Sequence, residues 1–305
     1  MSVGVEIPVE PRTGSARALR PSFVGAFRGE LLKLRHQRST IGLLLVAVIL
    51  FGVVMAALFD NNVMRQTLHR NPQAFFDDLL GILLALFDTG SGIFLLLVGA
   101  RLVGMEYDAG TIRVLLARGI DRVQLLLAKW LALVLLGLLL LAGFLVLATV
   151  SLLIVVEAWE GSLSPITSLP AVAWHDLGLN LLVALISVGV CILLGTAASV
   201  VGRAMAFGVG VAMAFFPADN FGTVVMGLLA RITHQTFWLR VTEYLLGPNL
   251  NQLPVELQTD HRVRAAFATP LQPVDTTHSL LVIGAYAVVF VVVSLLLIWR
   301  RDVLE

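Results

Sequence analysis

The sequence predicts an all-α polytopic membrane protein with six transmembrane helices. Of its 305 residues, 58% are hydrophobic and 13% are charged, whereas soluble domains carry about 25% charged residues. The mean hydropathy is +0.92. Apolar runs of about 20 residues recur along the chain, and each is long enough to cross a hydrocarbon core of about 30 Å. The composition therefore excludes an ordinary soluble domain.

The apolar runs predict spans at Thr40–Phe59, Leu79–Val103, Gln124–Val156, Asp176–Val201, Ala204–Ala230 and His278–Trp299. Lys and Arg concentrate before the first span, around the connection between spans 2 and 3, and after the last span. The positive-inside rule then places both termini and loop 104–124 in the cytoplasm, and loop 231–277 outside. We expect a multi-pass protein of the cell membrane, plasma or inner.

The segment before the first span contains a helical pattern. Residues 1–22 are polar and are expected to be cytoplasmic, and residues 23–39 follow them. There the apolar residues Val24, Phe27, Leu31 and Leu34 recur at helical spacing, opposite Arg28, Lys33 and Arg35. This pattern predicts an amphipathic helix at the inner membrane interface, with its basic face toward lipid headgroups. An exposed membrane-proximal linker is the alternative. Residues 40–305 would form the six-span domain.

Loop 104–124 is too polar to span the membrane and too apolar for a free linker. Residues 111–117 can form about two helical turns with one apolar face. Gly110 allows a sharp corner before them, and Gly119 ends the run. Asp121, with Gln124 three residues later, is typical of a capping box that starts the third span. The loop therefore predicts a short helix that lies across the membrane face.

Residues Val98 to Trp130 resemble the first intracellular loop of ABC-2-type ABC transporter permeases. Glu106, Tyr107, Gly110, Thr111, Ile112 and Arg113 match its Glu-Tyr-x-x-Gly-Thr-hydrophobic-Arg pattern. In that family the segment is a coupling helix that docks on the nucleotide-binding subunit. The resemblance assigns ATPase coupling to Glu106, Tyr107, Gly110, Thr111, Arg113 and Arg118. The alternative is structural: Arg101, Glu106 and Arg113 would form an ion-pair cluster at the membrane, with Gly110 as a turn.

The resemblance implies the permease subunit of an ATP-driven transporter, most simply an exporter of a hydrophobic or amphiphilic substrate. It also implies a dimer of permease protomers, homo- or heterodimeric, with two copies of a cytoplasmic ATPase. The sequence contains no Gly-x-x-x-x-Gly-Lys-Ser/Thr run. We therefore expect no enzymatic activity and no cofactor or metal in this chain, ATP and Mg²⁺ on the partner subunit, and no nucleic acid as a partner. Two alternatives remain: an ion-coupled secondary transporter or channel, and a non-pumping assembly or sensor subunit.

Two carboxylates lie inside predicted spans, where a charge costs about 2.5–3.5 kcal/mol on insertion scales. Asp88 stands in span 2 with Thr89 and Ser91 close by; the three could line a translocation path, or they could form a helix contact. Asp219 follows Pro217 in span 5, and Pro217 predicts a kink or an interruption that could mark an exit gate. The alternative for this region is a loop at the outer interface.

Span 5 also carries small residues at four-residue spacing, namely Ala204, Gly208 and Ala212. Such spacing allows close contact between helices, either with a second protomer or within the same subunit. The long loop 231–277 is rich in turn residues. It predicts short helices and loops that lie over the exit.

Overall fold

The computed structural model describes residues 22–110, 121–258 and 267–300, and within these ranges all regular structure is helical. The helices in chain order are α1 (Phe23–His36), α2 (Arg38–Phe59), α3 (Asn62–Arg70), α4 (Pro72–Asp108), α5 (Arg122–Glu160), α6 (Ser164–Thr167), α7 (Ala171–Gly202), α8 (Met205–Thr233), α9 (Phe237–Val241), α10 (Leu246–Leu257) and α11 (Thr276–Arg300). A 3₁₀ turn, Thr242–Tyr244, joins α9 to α10.

Six of these helices are long and apolar enough to cross a membrane: α2, α4, α5, α7, α8 and α11. The six predicted spans are thus confirmed, and the chain is an all-α polytopic membrane protein. Several helices extend past the predicted limits. The largest extension is in α4, which begins at Pro72 and ends at Asp108. The first residues of the predicted loop 104–124 are therefore still helical.

Short polar side chains define where the helices begin. Ser22 accepts a hydrogen bond from Gly25 N at 3.1 Å at the start of α1. Asn71 accepts one from Ala74 N at 3.1 Å before α4, whose first residue is Pro72. Asp121 accepts one from Gln124 N at 3.3 Å before α5. Each contact satisfies an amide that has no partner inside its helix. The predicted cap at Asp121 is confirmed.

The helical bundle has two ends. The α1 end holds α1, the end of α4, the start of α5, the α7–α8 turn and the last residues of α11; the α3 end holds α3, α6 and α9. In the centre, α4 packs against α7 and α8, and α7 packs against α11. The contact between α4 and α7 is close because Gly195 has no side chain: a Cβ there would lie 2.7 Å from Leu96 O. Ser199 Oγ also donates to Ala100 O at 2.7 Å.

Residues 237–258 turn back into the bundle from the α3 end. Tyr286 donates to Tyr244 O at 3.2 Å, and Tyr286 lies 14 residues before Arg300, about 21 Å along α11 from the α1 end. From that depth α10 runs outward again, and Gln258 donates to Asn180 Oδ1, in the third turn of α7, at 3.3 Å. The predicted short helices of this loop are present, and they lie beside the spans rather than only over them.

Candidate functional site

Four charged side chains from three helices meet at the α1 end. Lys129 Nζ of α5 lies 2.9 Å from Glu30 Oε2 of α1 and 2.8 Å from Glu106 Oε1 of α4. Lys33 Nζ of α1 lies 2.7 Å from Glu30 Oε1 and 2.6 Å from Glu106 Oε1. Each ammonium group therefore contacts both carboxylates. We call Glu30, Lys33, Glu106 and Lys129 the charge cluster.

The cluster forms because each helix turns one charge inward among apolar side chains. In α1, Phe27, Leu31 and Leu34 pack on the main core, and Glu30 lies on the same side one turn before Leu34. Glu106 lies in the last turn of α4, and Lys129 lies about two turns into α5. The apolar contacts thus bury charged groups that would otherwise be hydrated.

Burial makes the charge balance of the cluster important. The side chains of Glu30, Lys129 and Glu106 are 2%, 3% and 7% exposed, whereas Lys33 is 46% exposed. Two carboxylates and two ammonium groups sum to zero charge, and Leu102 O accepts a further hydrogen bond from Lys129 at 3.1 Å. Buried charges are tolerated when they are paired and hydrogen-bonded in this way.

The pKa of Lys33 reports the same balance. Burial by itself would lower that pKa, but attraction to Glu106 and Glu30 and the hydrogen bonds to both carboxylates outweigh it. The net pKa of Lys33 is raised above 10.5. Lys33 therefore stays protonated at neutral pH. In the structure its ammonium group contacts Glu30 and Glu106, whereas the sequence pattern directs it toward lipid headgroups.

Two arginines, at the helix ends that flank loop 104–124, form hydrogen bonds to other spans. Arg101 Nη1 of α4 donates to Ser39 Oγ at the start of α2, at 2.6 Å. Arg122 Nη1 of α5 donates to Ile298 O near the end of α11, at 3.1 Å. The alternative cluster of Arg101, Glu106 and Arg113 is not formed by Arg101 and Glu106, because Glu106 pairs with the two lysines and Arg101 binds a hydroxyl. Arg113 lies outside the described residues.

The described part of the loop agrees with the predicted corner. Gly110 is exposed and has a φ of 61°, the left-handed conformation that glycine adopts at little cost. Its N–H donates to Tyr107 O at 3.1 Å. Thr111, Arg113 and Arg118 lie outside the described residues, so their coupling role stays a prediction. Of the six predicted coupling residues, the structure places Glu106 in the charge cluster, and Tyr107 and Gly110 contact each other just beyond it.

The residues that complete the cluster were missed as site residues at the sequence level. Lys129 is a lone cation within an apolar run, and such a residue requires a partner. Glu30 interrupts the apolar face of α1 at a position where the spacing calls for an apolar residue. Both signals were visible, but neither identifies which residue is the partner.

The predicted path residues of α4 do not share one face. One oxygen of Asp88, Oδ1, is buried and has no hydrogen-bond partner. Ser91 is buried, while Thr89 is exposed. One turn beyond Asp88, Gly92 packs against α7: a Cβ there would lie 3.4 Å from Cys191 Sγ. Asp88 is thus a mid-span carboxylate whose buried oxygen is not satisfied within the described protein.

The predicted gate residues lie at mid-depth on α8. The helix runs through Pro217 without interruption, and Pro217 itself is exposed. Asp219 accepts a hydrogen bond from Gly247 N, in the first turn of α10. A carboxylate is favoured there by the unpaired amides and the dipole of a helix N-terminus. Asp219 therefore caps the returning helix α10, and the outer-interface loop considered for this region does not occur.

The fold and the charge cluster define a polytopic membrane protein whose second and third spans are tied together at one end. The family model described as ABC-2 family transporter protein matches residues 26–217, which is more than half of the chain. The chain belongs to this family of membrane transport components. The matched region includes most of α1, the whole charge cluster and loop 104–124. No curated protein matches the sequence significantly.

Proposed function

We propose that the chain is the permease subunit of an ATP-driven ABC transporter that exports a hydrophobic or amphiphilic substrate. In this proposal it sits in the cell membrane with both termini in the cytoplasm, which puts the α1 end on the cytoplasmic side. Two copies of a separate ATPase bind loop 104–124 and supply ATP and Mg²⁺. The permease works as a dimer, and the translocation path includes the mid-span polar residues.

The charge cluster is the observation that supports ATPase coupling most directly. It joins α4 and α5, the two helices that enter and leave loop 104–124, and it holds both against α1. A loop between two untethered helices would bend when an ATPase pushes on it. Because Glu106 and Lys129 are paired within 2.8 Å, a push on the loop would instead move the helices together.

The exposed surface of α8 supports the dimer. In the most hydrophobic stretch of α8 only 6% of residues are buried, against 50% in α4. Ala206, Gly210, Ala214 and Ala218 are exposed at four-residue spacing, a pattern that lets two helices approach closely. Gly208, by contrast, packs against Ser199 of α7. The stripe at Ala204, Gly208 and Ala212 thus contributes at Gly208 to a contact inside the subunit. We assign the exposed stripe to the second protomer.

Copurification tests the proposal. The tagged protein would be extracted in detergent from its native cells, and captured proteins would be examined for a P-loop ATPase. We expect capture by the wild type and loss of capture with Arg113→Ala, which alters the loop itself. Arg231→Ala is the matched control, because Arg231 is an exposed arginine at the opposite end of the bundle. Failure to capture an ATPase, even after crosslinking, would remove the proposed function.

Asp88 favours a second candidate function, that of an ion-coupled secondary transporter. A buried carboxylate oxygen without a partner is what a proton or cation site inside a membrane protein requires. The two functions separate cleanly by experiment, because a secondary carrier needs the titratable group and an ATP-driven pump does not.

A further inference from the structure

The last turns of α4 contact the first residue of α8. Asp108 Oδ2 accepts a hydrogen bond from Met205 N at 3.2 Å. Ala204, the residue that precedes α8, has no side-chain acceptor to offer. Asp108 therefore supplies, from a different helix, the cap that most helices receive from their own N-cap residue.

Gly104 brings the two backbones into direct contact one turn earlier. A Cβ at Gly104 would lie 2.7 Å from Met205 N and closer still to Met205 Cα. No side chain separates α4 from α8 here. The α7–α8 turn is equally tight, because Arg203 adopts a φ of 51° and Gly202 lies under the ring of Phe207. The start of α8 thus cannot shift relative to α4 without breaking these contacts.

The second half of α8 contacts the hairpin of residues 237–258, which turns back into the bundle. Asp219 lies 14 residues after Met205, about 21 Å along the helix, and its carboxylate caps α10 at Gly247 N. Beside it, Asn251 of α10 donates to Asn220 Oδ1 of α8 at 3.1 Å and to Ala268 O at 2.8 Å. Polar contacts therefore connect both ends of this stretch of α8: to α4 at Asp108 and to α10 at Asp219.

We propose that Asp108 is the positioning residue that passes movement of loop 104–124 to α8, and through Asp219 to the hairpin of residues 237–258. This inference rests on the proposed function, in which an ATPase moves the loop. The two ends of the loop then have different tasks. Both sides are held to α1, α5 by Lys129 and α4 by Glu106, and the α4 side in addition contacts α8 at Asp108, two residues beyond Glu106.

Three variants isolate the hydrogen bond between Asp108 and Met205. Asp108→Ala removes the acceptor, whereas Asp108→Asn keeps an oxygen that can accept from the amide. Met205→Pro removes the donor from the other side; proline is well tolerated at the first position of a helix, and Met205 is that position. Asp275→Ala is the matched control, because Asp275 caps α11 at His278 N, at 3.0 Å, at the end of that helix opposite Arg300 and the α1 end.

The readout is the position of α8 in the working complex. A spin label at Ile232→Cys, an exposed position at the α3 end of α8, would report the distance between protomers in nanodiscs that hold the permease and its ATPase. The native Cys191 is 1% exposed, so it does not compete for the label. Distances would be compared without nucleotide and with a non-hydrolysable ATP analogue, and transport per ATP hydrolysed would be measured in parallel.

We expect the wild type, Asp108→Asn and Asp275→Ala to show a nucleotide-dependent distance change. Asp108→Ala and Met205→Pro should each lower the fraction of complexes that show the nucleotide-dependent distance by roughly 2- to 10-fold, and the transport per ATP by the same factor. This is the change in equilibrium constant that corresponds to one net hydrogen bond. The double variant should be no worse than either single one. ATP hydrolysis itself should continue.

The inference is overturned if Asp108→Ala retains the full distance change, or if Asp108→Asn is as impaired as Asp108→Ala. An additive loss in the double variant would also overturn it, because the two residues would then act separately. If Asp108→Ala fails to assemble, Met205→Pro alone decides. A wild-type complex that shows no nucleotide-dependent change would remove the proposed function itself, and this inference with it.

Discussion

Replacement of Lys129 by methionine tests the charge cluster most sharply. Met has a similar length and is apolar, so the variant removes the charge with little change in packing. It leaves Glu30 and Glu106, which are 2% and 7% exposed, with Lys33 as their shared cation. Breaking a buried ion pair by removal of one partner costs about 3–5 kcal/mol. Because Lys33 still contacts both carboxylates, we expect the lower end, about 3 kcal/mol.

Lys33→Met is the matched control within the same cluster. Lys33 contacts the same two carboxylates at similar distances, but its side chain is 46% exposed against 3% for Lys129. Water already screens its charge, so its removal should cost at most about 1 kcal/mol. The two variants remove the same charge from the same pair of glutamates. The difference between their losses of unfolding free energy therefore measures the effect of burial on the ion pair.

The assay is thermal unfolding of the detergent-solubilised protein, compared at one scan rate because membrane proteins often unfold irreversibly. A loss of about 3 kcal/mol corresponds to roughly 6–12 °C in Tm, so Lys129→Met should fall by that much and Lys33→Met by about 4 °C or less. Adding Glu30→Gln to Lys129→Met should restore part of the loss, since it removes one uncompensated charge. Equal Tm losses for Lys129→Met and Lys33→Met, or a further loss in the double variant, would refute the reasoning.

Three further predictions follow from single contacts. The raised pKa of Lys33 means that its contribution to stability is complete below pH 10.5 and is lost as the pH rises through the folded-state pKa; a Tm–pH series should therefore fall less steeply above pH 10.5 in Lys33→Met than in the wild type. Asp88→Asn should keep most ATP-driven transport, measured in proteoliposomes, because only a secondary carrier needs a titratable group there; collapse of transport would favour the carrier. Gly195→Ala should lower the unfolding free energy by about 1–3 kcal/mol because its Cβ meets a backbone oxygen at 2.7 Å, whereas Gly90→Ala, with nothing within 4 Å, should be neutral or stabilising; similar Tm losses in both would contradict this.

Local patterns were enough to predict the six spans. Each span is visible in the sequence as an apolar run, and a run of about 20 apolar residues almost always forms a transmembrane helix. The cap at Asp121 and the corner at Gly110 were also predicted correctly, because a cap or a corner involves residues only a few positions apart. The helix limits were less accurate. Glu106 lies beyond the predicted limit Val103 but inside α4, because hydropathy does not register a charge that has a partner.

The sequence by itself determined that this protein is an all-α membrane protein with six spans, and its loop 104–124 pointed to the family. The tertiary structure alone decided which charges meet. Lys129 and Glu30 are 99 residues apart, and Asp108 and Met205 are 97 residues apart. Spacing along one helix says which residues share a face, but it carries no information about which face of another helix lies opposite. That choice depends on how whole helices pack, and here close contacts at Gly104 and Gly195 settle it.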